Sequence, residues 1–160
     1  MNGMATAALA QYGSDQGISM EARRNANALF SNAMNRGKLI MILQKLFGKQ
    51  NNLRAFATVD RKDKPVQKQN KMIVNVPIEK IVGSEGRAQD FDKQFRPLVN
   101  HIRDRWIGVA IAYRRGKALP PVELIQVGDE YYVRDGHHRI SVAKLFGQAT
   151  IEAKIIYEVA

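Results

Sequence analysis

Tyr131-Tyr132-Val133-Arg134-Asp135-Gly136-His137-His138-Arg139-Ile140-Ser141-Val142-Ala143-Lys144-Leu145-Phe146-Gly147 decides the fold of this chain. It opens on aromatic and β-branched residues, which predict a strand. Asp135-Gly136 is a turn signal. Ile140 to Phe146 then predicts a short helix that Gly147 stops. A turn that ends a strand and opens a helix is suited to an anion, because the first helical N–H groups lack internal partners and carry the positive end of the helix dipole. Gly136 permits the tight turn, Arg139 offers a planar fork to phosphate oxygens, and His137 and His138 add donors. Asp135 is suited to cap the helix, to orient a histidine, or to hold a magnesium ion that bridges to phosphates. Adjacent helical side chains point about 100° apart, so the two histidines do not pair as metal ligands. The only other histidine is His101, so zinc is short of ligands.

Working outward, Val122 to Val127 predicts a strand joined by a Gly128-Asp129 hairpin turn to the strand at Tyr131. Ile151 to Val159 predicts a last strand. Upstream, Phe91, Phe95, Leu98, Ile102, Trp106, Val109 and Tyr113 recur every three or four residues. That spacing predicts a core-facing helix over 90–115, with Pro97 near its start. Gly116 ends it and Pro120-Pro121 forbid its continuation. Met72 to Val82 predicts a strand and 83–86 a loop. Residues 60–71 have almost no apolar content and predict a linker or exposed loop.

Before that linker the pattern is helical and basic. Ala28, Leu29, Leu39, Ile40, Leu43, Leu46 and Phe47 recur at helical spacing among Arg23, Arg24, Arg36, Lys38, Lys45 and Lys49. Gly37 is expected to break this segment into two helices, and Gly48 to end the second. Its apolar face is expected to pack on the C-terminal domain, as most amphipathic helices do. Residues 1–19 read as a mobile tail. The domain reading is a basic helical extension at 1–59, a linker at 60–71 and an α/β domain at 72–160.

Composition narrows the function. Of the 160 residues 45% are apolar, enough for a core, which excludes wholesale disorder. The absence of cysteine excludes disulfides, thiolate metal sites and thiol catalysis. No export signal or transmembrane stretch is recognisable, so a cytoplasmic protein is expected. The formal net charge is +10, and residues 1–71 carry 12 Lys/Arg against 4 Asp/Glu. A polyanionic partner is therefore expected: a nucleic-acid backbone, met without sequence preference by the N-terminal segment, a nucleotide, or an anionic membrane surface.

The turn also has a family context. Residues 131–147 with Ile151-Glu152-Ala153-Lys154-Ile155 resemble the N-terminal domain of ParB-like proteins, of the ParB/sulfiredoxin superfamily. There a strand leads into a Gly-x-x-Arg turn, a short helix ending in Gly, and a strand. Val76-Pro77-Ile78-Glu79-Lys80-Ile81 resembles the family's opening strand. Arg87 with Asp90-Phe91-Asp92 resembles the segment after it, and Leu119-Pro120-Pro121-Val122 the entry to the central strand. The resemblance covers about residues 75–157. It implies an α+β fold, a small mixed sheet packed with helices, here preceded by the basic helical segment. It implies nucleoside triphosphate binding, CTP or ATP, with the phosphates at 135–139, Arg87 as a second contact and magnesium as an optional bridge at Asp135.

Two departures limit the carry-over. The chain stops after the last strand, so the helix-turn-helix part of partitioning proteins is not expected. A histidine stands where sulfiredoxins need cysteine, which excludes their chemistry. The alternatives are a small phosphotransferase or nuclease using Asp135, His138 and Glu85, or a non-catalytic scaffold. The scaffold would dock, on itself or on another protein, through the N-terminal helices.

Overall fold

The computed structural model describes residues 19–49, 51–58, 66–67 and 72–159. The expected mobile tail, apart from Ser19, and the expected linker, apart from Val66–Gln67, lie outside those residues.

The architecture is α+β, with three helices and a seven-stranded mixed sheet among the described residues. Helix α1 spans Met20–Leu46, β1 Arg54–Ala55, β2 Val66–Gln67, β3 Ile73–Pro77 and β4 Ile81–Ser84. Helix α2 spans Arg103–Arg114, β5 Val122–Val127, β6 Glu130–Asp135, α3 His137–Leu145 and β7 Thr150–Val159. The sheet order is β1-β4-β6-β5-β7-β2, and β3 also pairs with β7. The β5–β6 pair is the antiparallel hairpin expected at Gly128-Asp129, whereas β4–β6 and β5–β7 run parallel.

Helices α2 and α3 pack together beside this sheet, and α1 packs on α2. Trp106 of α2 is fully buried and donates from Nε1 to Ser141 Oγ of α3 at 2.8 Å, so its one polar atom is satisfied. Phe30 of α1 meets the Trp106 ring edge-on, with centroids 5.5 Å apart. Further along the chain, Leu53 and Phe56 are buried, and Arg54–Ala55 adds a parallel edge to β4. Residues 19–58 therefore share the core of the α/β part.

Three local expectations are corrected. Gly37 does not break the first helix, which runs unbroken through it. It is buried, and a Cβ there would lie 3.2 Å from Arg96 Cβ, Leu98 Cδ2 and the Pro97 carbonyl oxygen. The glycine serves close approach rather than termination.

The helix expected over 90–115 begins only at Asn100, as a short 3₁₀ turn (Asn100–Ile102) leading into α2. Before it, buried Asp92 takes over the backbone. Its Oδ1 accepts from the N–H groups of Gln94 and Arg96 at 2.9 and 2.8 Å, and Phe95 adopts φ 56°. This carboxylate-built turn competes with helix and wins, and Pro97 falls in it rather than at a helix start. The strand expected over 72–82 is two strands, β3 and β4, divided by a 3₁₀ turn at Ile78–Lys80.

Candidate functional site

Strand β6 delivers Asp135, and Gly136 then turns the chain into α3. Gly136 is the N-cap, with φ 103° and ψ 17°, and no side chain caps the helix. A Cβ at this position would lie 2.5 Å from Val122 Cγ1, so both the backbone angle and the space require glycine.

The residues of the turn have separate tasks. Arg139 is 3% exposed. Its guanidinium donates to the carbonyls of Pro120 and Pro121 at 2.5 and 2.9 Å and to Asp135 Oδ2 at 2.5 Å. It therefore clamps the entry of β5 to the exit of β6. Asp135 accepts from Arg139 and does not cap α3.

His137 Nε2 lies 2.7 Å from Ser84 Oγ. That oxygen already accepts from the N–H groups of Arg87 and Gly86, at 2.8 and 3.3 Å. Its own proton is then left to donate to Nε2, which fixes His137 as the neutral tautomer protonated on Nδ1. Burial, reinforced by Arg87, lowers the His137 pKa to about 4, with Asp135 opposing. His138 is 8% exposed, and its Nε2 is buried without a hydrogen-bond partner. Burial, then Arg87 and Arg105, lowers its pKa to about 3. Phe91 covers both imidazoles, near-parallel to His137 and edge-on to His138, with centroids 6.1 and 6.0 Å apart.

These groups line a recess with a cavity volume of about 30 Å³, whose other walls include Arg87, Arg105 and Val109. Room on that scale holds about two water molecules, hence phosphate oxygens but not a nucleoside. The structure thus brings together Arg87 and the whole 135–139 turn. It adds Arg105, which the sequence reading missed. The available signal was its place one helical turn before core-facing Val109. Arg87 also meets Asp90 at 3.5 Å.

Other candidates lie elsewhere. Glu85 does not line the recess and pairs with Arg134 at 3.4 Å. His101 is exposed and pairs with Asp90 at 3.6 Å. No group of three or more His, Asp or Glu that could hold a metal ion occurs among the described residues.

The six N-terminal cations are all exposed on or just beyond α1. Arg24, Lys38 and Lys45 are spaced in multiples of seven and form one row along the helix. Arg36 lies on another side, Arg23 pairs with Asp104 at 3.8 Å, and Lys49 follows the helix end. Among the described residues no helix is long and apolar enough to cross a membrane.

No family model and no curated protein matches the chain. A solved structure, sulfiredoxin from Arabidopsis thaliana, is similar to it at 27% identity, over 52% of this chain and 83% of that one, with a TM-score of 0.38.

Proposed function

We propose that this protein binds the phosphate groups of a nucleotide in the recess at the start of α3. The observation that carries the reading is the chemistry converging there. A helix begins without a side-chain cap, two arginines stand at its mouth, and His138 presents a buried nitrogen with no partner. Each favours an anion. The turn's resemblance to the ParB-like domain makes CTP and ATP the first ligands to try. The nucleoside lies outside the recess, which is too small for it.

In this reading Arg139 shapes the site, while Arg87 and Arg105 meet the ligand. Asp135 is the one carboxylate lining the recess, and Arg139 engages it. A magnesium ion would accordingly be held mainly by the phosphates. The phosphotransferase and nuclease alternatives draw less support. Asp135 and Glu85 are both ion-paired, and His138 is a weak base at a pKa of about 3.

Calorimetric titration with CTP, ATP, GTP and pyrophosphate tests the proposal. Arg87→Ala and Arg105→Ala are each expected to weaken binding about tenfold or more, as loss of a charge-assisted hydrogen bond does. Binding that survives the double variant unchanged would place the ligand elsewhere.

A further inference from the structure

Helix α1 has two apolar faces that are not the same face. Ala26, Phe30, Ala33, Met34 and Gly37 are buried against the core. From Lys38 onward no residue of the helix is buried. Leu39, Ile42, Leu43 and Leu46 follow one another at three- and four-residue steps and are exposed, with Phe47 just beyond. At about 100° per residue this second stripe lies on roughly the opposite side of the helix from the first. Its exposure rises toward the tip, to 76% at Leu46 and 78% at Phe47. No core position demands these side chains.

Charge says what they meet. Lys38 and Lys45 run along one edge of the stripe, Lys49 follows its end, and no acidic residue occurs anywhere from 22 to 59. A second copy would bring lysines against lysines. The stripe covers little more than two helical turns, whereas a coiled-coil seam is sustained over three to four heptads. An anionic lipid surface needs neither register nor length. It accepts Leu, Ile and Phe into its interface while lysines reach the headgroups. A nucleic-acid backbone would satisfy the lysines and leave the apolar chains wet.

We propose that the projecting end of α1, residues 38–49, is a reversible docking element for an anionic membrane surface.

Sedimentation of the full chain with vesicles of phosphatidylcholine alone, or with about a third phosphatidylserine, tests this directly. Binding is expected on the anionic vesicles only, falling as salt rises. Each of Lys38→Gln, Lys45→Gln and Lys49→Gln should cost about fivefold in affinity. The pair Leu46→Ser and Phe47→Ser should abolish binding while leaving the melting temperature unchanged, since neither side chain is in the core. Absence of binding to anionic vesicles would overturn the proposal. So would binding that the Ser pair leaves intact, which would be diffuse attraction to a basic protein. Self-association lost in the Ser pair would assign the stripe to a second copy, and retention by duplex DNA lost with the lysines but not the Ser pair would assign the charges to nucleic acid.

Discussion

At the level of single residues, Arg139 separates what a turn motif suggests from what its side chains do. An arginine three residues past a glycine at a helix start reads as a phosphate fork. In the fold, its partners include two proline carbonyls, 18 and 19 residues upstream, and one aspartate. The proline carbonyls could not be read locally, because they reach Arg139 only when β5 and β6 pair, whereas Asp135 is a local partner four residues away. Gly136 could be read, since its requirement is written in its own backbone. Arg139→Ala would leave the carbonyls of two half-buried prolines without their donor and free a carboxylate that is 48% exposed, so a loss of about 2–3 kcal/mol is expected in urea unfolding. Arg87→Ala, whose side chain is 40% exposed, should cost under about 1 kcal/mol. If the two variants unfold alike, Arg139 is not the clamp described. The contrast also marks Arg87 and Arg105, rather than Arg139, as the clean probes of ligand binding. Gly136→Ala combines left-handed strain with overlap onto Val122 and should cost about 2 kcal/mol or more by the same measure.

At the scale of elements, hydrophobic spacing found the hairpin, α3 and β7 and misread the stretch before α2. The stripe from Phe91 to Tyr113 is real in that all its large members but Tyr113 are buried. Burial does not certify a helix, however. Phe91 and Phe95 enter the core from a turn that Asp92 organises, accepting at 2.8–3.0 Å from two backbone N–H groups and from Arg96. A side chain that substitutes for helical hydrogen bonds leaves no trace in apolar periodicity. The same turn holds Phe91 over the histidines, so it belongs to the site as much as to the fold. Asp92→Ala should therefore destabilise the protein by about 3 kcal/mol and shift the imidazole resonances of His137 and His138. Asp92→Asn, which keeps an acceptor, should do less. Unchanged histidine resonances in Asp92→Ala would detach the turn from the recess.

For the whole molecule, the recess makes a prediction about stability against pH. His137 and His138 are buried and neutral in the folded protein, with pKa values lowered to about 4 and about 3, against 6.5 as the ordinary value. Charged groups face them from several sides: Arg87 after β4, Arg105 on α2, and Asp135 and Arg139 flanking the turn. Unfolding releases both histidines to their ordinary pKa, so below about pH 6.5 the unfolded chain binds protons that the folded one refuses. Stability is therefore complete above pH 6.5 and is lost as pH falls from there toward 4. The slope approaches about 1.4 kcal/mol per pH unit for each histidine. Urea unfolding at pH 7.5, 6.5, 5.5 and 5.0 measures this before most carboxylates titrate. His138→Gln, which cannot take up a proton, should roughly halve the fall. A polyphosphate bound as proposed would add counter-charge beyond that of Asp135 and so favour the protonated imidazoles. Pyrophosphate should accordingly flatten the acid loss in the wild type and do so less in Arg87→Ala. A flat profile between pH 7.5 and 5.0 would mean that the histidines are not held neutral in the fold. A fall that pyrophosphate does not relieve would keep the buried histidines and remove the phosphate from beside them.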